Sequence, residues 1–330
     1  MLVYDLETRD EVFRHNAAPN QEFKRAVLGL NRTADYNMDL FFPFRTFSFI
    51  TGTSVLSMCK ISPSGSVTIA ESPLLNANFV IGNQFAVIHN FGRGRASDVL
   101  VVSHLESQNI YPLSSGFLDE PHDPRSPIQN TTIFLPGGYA LLHFAPVSIQ
   151  LGTPVKHYFE LYCMPDHTIL PTGTSLSPTH RGHFPQVDCV VKLLSSVISP
   201  QNNYSGSSIW LLVRLYKVVG LHLLHITFRD EGRLAFHLSL ARPNDIWDLH
   251  LTANSDGRAR GIARKGEYQE QHWILCDIDM NSDEEPVIHT ATVDVLEDKS
   301  SYFMALDVSR GMLINHEFGR DQIHILDLVV

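Results

Sequence analysis

Along RLAFHLSL, residues 233–240, Leu234, Phe236, Leu238 and Leu240 alternate with Arg233, Ala235, His237 and Ser239, the period-two pattern of a half-buried strand. VKHYFELYC at 155–163 repeats it, setting Val155, His157, Phe159, Leu161 and Cys163 against Lys156, Tyr158, Glu160 and Tyr162. WLLVRLYKVVG at 210–220 and LHLLHITF at 221–228 are apolar on both faces, as strands covered on two sides are. One helical pattern stands out, PNQEFKRAVLGL at 19–30: Pro19 suits a first turn, and Phe23, Val27 and Leu30 recur at helical spacing. A short helix, or only a turn, is expected there.

The strands come in a rhythm. Four segments end alike, an apolar run meeting an acidic or polar residue: LVYDLET at 2–8, VLVVSHLES at 99–107, WILCDIDM at 273–280 and IHILDLV at 323–329. A glycine turn opening a new strand also recurs, in SPSGSVTI at 62–69, RDEGRLAF at 229–236, NSDGRARGI at 254–262 and VSRGMLI at 308–314, where glycine supplies the positive φ of a tight hairpin. Short strands joined this way along the whole chain predict an all-β, propeller-like array of antiparallel strands, one domain over 1–330 with roughly five to seven blades of about 40–50 residues. A β-sandwich joined to a barrel is the rival architecture. TATVDVL, YFMALDV, MLINHEF and QIHILDLV are expected to make one four-stranded blade across 291–330. LVYDLET then has no upstream strand to pair with, so the array is either closed by that strand or incomplete at the N-terminus.

Composition narrows the setting. Hydrophobic residues make up 44% and charged residues 18% of the 330, enough apolar surface for a core. A formal charge of −10 disfavours nonspecific attraction to nucleic acid or anionic lipid, so neither partner is implied. The 17 histidines make surface charge sensitive to pH near 6 wherever they are exposed. MLVYDLETRDEVFRH lacks the apolar run of a signal peptide, and no stretch reaches the ~18 apolar residues of a membrane span, so a cytoplasmic or nuclear place is expected. Cys59, Cys163, Cys189 and Cys276 form no CxxC pair and read as buried thiols. The sequons at Asn31, Asn130 and Asn203 carry no weight without an export signal.

DLHLTANSDGRARGIARKGEYQEQHWILCDID at 248–279, VDVL at 293–296 and SYFMALDVSRGMLINHEFGRDQIHILDL at 301–328 resemble the propeller-like region of fungal F-box proteins. VYDLETRDEVFRH near the start resembles a blade-ending strand of the same proteins. The resemblance implies a substrate-recruiting or scaffolding protein of the ubiquitin-ligase system, in which F-box helices hold the adaptor and the propeller holds the target. No LPxELL-like segment precedes the strands, so adaptor binding is not carried over. The family supplies no catalytic residues.

The remaining chemistry is sparse. FGRGRAS at 91–97 places Arg93 and Arg95 on a turn able to grip a phosphate or acidic peptide, yet lacks the Lys and Ser/Thr of a P-loop; an exposed hairpin is the simpler reading. RARGIARKGE at 258–267 concentrates Arg258, Arg260, Arg264 and Lys265, which makes either a solvated strand face or a basic interaction patch. Trp247 and Asp248 form a WD dipeptide, and Gly182 with His183 a GH dipeptide, too far apart for one WD repeat; Trp247 reads as a core aromatic. His180 and His183 need Asp188 and Cys189 to converge before a metal could bind. Asp277 and Asp279 share a strand face, suiting paired carboxylates only inside a cleft. No serine lies in a GxSxG elbow. LDEPHDPRSP at 118–127 and NSDEEPV at 281–287 read as exposed, acidic connectors. The sequence therefore supports a non-catalytic protein-interaction or substrate-recruiting module, without catalytic, metal or cofactor residues, whose protein partner it does not identify. A propeller hydrolase or lyase with a polar site at a central channel is the alternative.

Overall fold

A computed structural model describes residues 2–4, 11–14, 19, 21–26, 40–52, 54–62, 66–75, 78–81, 84–90, 99–105, 107–119, 128–135, 137–146, 155–187, 191–198, 208–215, 221–242, 246–253, 258–265, 272–279, 287–292, 301–307, 312–317 and 322–327. The chain divides into two compact units, Met1–Phe144 with Glu160–Thr179, and Ala145–Phe159 with His180–Val330. Among the described residues almost all regular structure is strand; a four-residue helical turn at Gly116–Asp119 and a 3-10 turn at Asp230–Gly232 are the exceptions.

The first unit holds two sheets that each run through four consecutive strands. One is Gln21–Ala26, Leu40–Ser48, Ser54–Ile61 and Val67–Leu75; the other is Asn78–Ile81, Phe85–Asn90, Val99–His104 and Ile110–Pro112. The second unit repeats the pattern with Ile246–Ala253, Arg258–Lys265, His272–Asp279 and Val287–Thr292. It also holds a sheet in which His180–Val187, Arg233–Arg242, Leu221–Arg229, Ser208–Leu215 and Val191–Ile198 lie side by side in that order. Antiparallel meanders of four successive strands are the blade unit of a propeller, and the fold is all-β and propeller-like, as the strand rhythm predicts.

Alternation explains the core. On the sheet around Leu221–Arg229, Ile209, Leu211, Val213, Leu224, Ile226, Phe228 and Leu234 are buried, while Arg229, Arg233 and His237 are exposed. Gly182 faces Leu234 and Phe236 so closely that a Cβ there would lie 2.9 Å from Phe236 Cε2 and 3.0 Å from the Leu234 carbonyl oxygen. The hairpin from Leu221–Arg229 to Arg233–Arg242 needs positive φ at two successive residues, 66° at Glu231 and 69° at Gly232, of which the glycine was foreseeable.

Four expectations change. The helix placed at 19–30 is a strand, Gln21–Ala26, paired antiparallel with Leu40–Ser48. Six residues are too few for helical propensity to prevail, and the ladder satisfies their backbone groups instead. The opening strand Leu2–Tyr4 pairs with Glu11–Arg14, the strand that follows it. In the stretch taken as a blade across 291–330, Ser301–Asp307, Met312–Glu317 and Gln322–Asp327 form a three-stranded sheet, whereas Ala291 and Thr292 end a strand of the preceding sheet, paired with Leu275 and Ile274. Cys59 and Cys276 are buried thiols, but Cys163 is exposed because it ends its strand; Cys189 lies outside the described residues.

Candidate functional site

The basic run 258–265 is a strand whose neighbour carries the opposite charge. Arg258 pairs in register with Asp279, Arg260 with Asp277 and Arg264 with Trp273. The Arg260 Nε lies 3.8 Å from Asp277 Oδ1, with about a third of each side chain exposed. Between these ends the strands are core: Ile262, Ala263, Cys276 and Ile278 are buried. Asp277 is thus the countercharge of Arg260 one strand away, and Asp279 stands in register with Arg258. Lys265 pairs with Ile246 and His272. Arg93 and Arg95 lie outside the described residues, as do Asp188 and residues 120–127 and 281–286.

His180 and His183 sit on the strand His180–Val187 three residues apart, which sends them to opposite faces. His180 packs edge-on to Phe228 at 5.5 Å, and His183 stands 6.4 Å from Tyr158. The spacing therefore cannot converge on one ion.

The first unit carries what the sequence reading missed. Leu40–Ser48 passes into Ser54–Ile61 through a turn in which the Gly52 N–H donates to the Ser48 carbonyl at 2.9 Å, with Gly52 at φ 65°. Phe49 meets Phe47 edge to face at 5.5 Å, yet Phe49 is 60% and Ile50 78% exposed. A second turn, at 166–170, is held by Asp166: its carboxylate accepts from the Thr168 N–H at 3.0 Å and hydroxyl at 2.6 Å, and its carbonyl accepts from the Leu170 N–H at 2.8 Å. The Thr168 hydroxyl and N–H hold the Asp166 carboxyl below its ordinary range. Ile169, at the tip, is 77% exposed. Residues 170–176 are laced to the strand Ile110–Pro112: the Gly173 N–H donates to the Ile110 carbonyl at 2.7 Å, the Leu176 N–H to the Pro112 carbonyl at 2.8 Å and the Tyr111 hydroxyl to the Leu170 carbonyl at 3.2 Å. Large apolar side chains are thus presented on ordered turns, and the four exposed ones among the described residues, Phe49, Ile50, Ile69 and Ile169, all belong to this unit. The sequence does carry a signal for the first tip. Phe49 and Ile50 stand side by side immediately before TGT, at positions where a solvated hairpin normally carries polar residues.

The same unit also holds a buried acid. Glu160 Oε1 accepts from the Gly116 N–H at 2.8 Å and the Phe117 N–H at 3.3 Å, while Oε2 accepts from the Tyr162 hydroxyl at 2.7 Å. Burial, and then the Glu160 carboxylate, push the Tyr162 hydroxyl far above its ordinary value. With Glu160 3% and Tyr162 0% exposed, the carboxylate ties the chain around 114–117 to the strand Val155–Cys163 and faces no solvent. The alternation that put Glu160 and Tyr162 on a polar face fails here because that face meets this buried segment. Nearby in sequence, His104 stacks on His167 at 3.6 Å and accepts the Ser107 N–H on Nδ1 at 3.1 Å.

Fold and exposed turns define an all-β, propeller-like protein with apolar side chains offered on rigid hairpin tips. No protein-family model matches the sequence, and no curated protein matches it. Solved structures similar to the chain include the acylaminoacyl peptidase of Pyrococcus horikoshii, at 10% identity and a TM-score of 0.49, over 92% of this chain and 44% of the peptidase. Another is the polysaccharide lyase Uly1, at 8% identity and a TM-score of 0.45, over 87% of this chain and 78% of the lyase. The chain therefore spans less than half the length of the peptidase it resembles.

Proposed function

We propose that this chain is a non-catalytic protein-interaction module that engages its partner through apolar turn tips, with Phe49 and Ile50 as anchors. The observation that carries the reading is the exposure of both side chains on a turn fixed by its own hydrogen bonds. An aromatic anchor that is already ordered loses little conformational freedom on binding, and such anchors dominate interface energetics. The resemblance of 248–279 and 301–328 to fungal F-box proteins supports a substrate-recruiting setting for the same module.

The test compares the tagged full chain with the F49S/I50S variant, both checked for an unchanged melting temperature. Partners captured by the wild-type chain are identified, purified and titrated against both proteins. A loss of affinity of about thirtyfold or more is expected, the effect of removing one strong anchor at ~2 kcal/mol. An unchanged affinity removes the tip from the interface, and turnover of a peptide or polysaccharide by the purified wild-type chain overturns the non-catalytic reading.

A further inference from the structure

The second unit carries a cationic surface that is invisible along the chain because it is assembled across strands. Arg181 pairs in register with Arg233 on the parallel strand beside it, and Arg233 pairs with Arg229 on the next. Residues in register share a face, so three guanidinium side chains stand in one row at about 4.8 Å per strand, and all three residues are exposed. Lys156 and Tyr158, on the strand Val155–Cys163, extend the row: Tyr158 lies 6.4 Å from His183, two residues along from Arg181, and Lys156 Nζ lies 4.6 Å above the Tyr158 ring. The opposite face of the same strands is core, with His157, Phe159, Phe184 and Leu234 buried, so the cations have no other direction to point. Against them stand the carboxylates of Asp230 and Glu231 in the hairpin turn; Glu231 approaches Arg233 only to 4.0 Å, with both side chains more than three-quarters exposed. Among the described residues neither Arg181 nor Arg229 has an ion-pair partner.

Like charges in adjacent strands destabilise a sheet, and in a chain of net charge −10 a row of them is a local reversal of sign. We propose that this face binds an acidic, extended polypeptide segment of a partner protein. Guanidinium forks take carboxylates bidentately, and the four strands from Lys156 to Arg229 span ~14 Å, the reach of about four extended residues, so the two acidic side chains that share one face of such a segment, ~7 Å apart, both fall within the row of cations. A nucleic acid fits less well on two grounds. Its phosphate chain runs on beyond the patch into the field of an acidic protein, and the ring faces that bases stack on are engaged internally, Tyr158 by Lys156 and Trp210 by His225 at 4.1 Å and 5°. The inference shares the interaction reading made above but uses residues separate from Phe49 and Ile50, so either can fail alone.

The experiment follows the fluorescence anisotropy of a labelled alternating glutamate–serine peptide with the full-length chain, at low and at high salt. Its glutamine–serine counterpart and a labelled single-stranded oligonucleotide are run beside it. Binding of the acidic peptide, its loss with salt and no binding of the glutamine peptide are expected. R181Q/R233Q, whose side chains are exposed, should weaken the acidic peptide by about tenfold, while R260Q and F49S/I50S leave it unchanged. Absence of peptide binding by the wild-type chain, an equal loss with R260Q, or tighter binding of the oligonucleotide than of the peptide each overturns the proposal. Loss of peptide binding in F49S/I50S would instead place the peptide on the apolar tip.

Discussion

Replacing Tyr162 with phenylalanine removes one oxygen and leaves the ring volume intact, so the change tests the buried carboxylate without opening a cavity. In the folded chain that oxygen donates to Glu160 Oε2 at 2.7 Å and has the Ser114 carbonyl 3.2 Å away as a second acceptor. A hydrogen bond to a charged acceptor contributes about 1.5–3 kcal/mol, and its loss leaves Oε2 without that donor at a site only 3% exposed. Oε1 keeps its two backbone donors, so the carboxylate is not abandoned. The expected destabilisation is about 2 kcal/mol, or roughly 5 °C in melting temperature. Urea unfolding followed by far-UV circular dichroism measures it, with the slope of the transition showing whether the comparison is sound. E160A should cost more, about 3–5 kcal/mol, because three neutral donors, the Gly116 and Phe117 N–H groups and the Tyr162 hydroxyl, then lose their shared acceptor at ~1–2 kcal/mol each. A Y162F midpoint equal to that of the wild type would refute the reasoning: the carboxylate would then need only the backbone donors.

Two further outcomes follow from single positions. Burial pushes the His89 imidazole down to about 4 from 6.5, so between those values the unfolded chain binds a proton that the folded chain refuses. Stability is therefore unaffected by His89 above pH 6.5 and falls as pH drops toward 4, by about 3 kcal/mol in all, and H89L should flatten that part of the pH–stability curve; an identical slope in the variant contradicts the assignment. At Gly182 an added methyl meets Phe236 at 2.9 Å and the Leu234 carbonyl at 3.0 Å, so G182A should destabilise by about 1–3 kcal/mol in the same urea assay, and a neutral G182A would mean that the two strands separate without penalty.

Much of the fold was legible because strand periodicity is local. RLAFHLSL shows its faces in eight letters, and the structure keeps Leu234 in and Arg233 and His237 out. The glycine hairpin at Gly232 was legible for the same reason, although Glu231 holds a positive φ that no sequence rule assigns to glutamate. Legibility ended where a segment's environment decided its state. Residues 21–26 have helical spacing but find a ladder with Leu40–Ser48, and Glu160 and Tyr162 alternate as a solvent face but meet Gly116 and Phe117.

Charge fails to read along the chain for a related reason, since in a sheet the nearest neighbours of a residue are across strands rather than beside it. Arg258 and Arg260 look like half of a basic cluster until the register brings Asp279 and Asp277 opposite them. Arg181, Arg229 and Arg233 look unrelated, spread over some fifty residues of sequence, until the register puts them side by side. In the compact cluster Arg260 meets a countercharge across strands, whereas the scattered row is brought together by the register. A pattern of four successive antiparallel strands makes the first case common, because hairpin partners close in sequence can be matched in charge. The parallel contact between His180–Val187 and Arg233–Arg242 joins strands that are distant in the chain. There no hairpin sets the pairing, and the adjacency of Arg181 to Arg233 follows from the sheet alone. The sheet's own stability is reduced by that adjacency, which is why an anionic partner on this face is expected to raise the melting temperature as it binds.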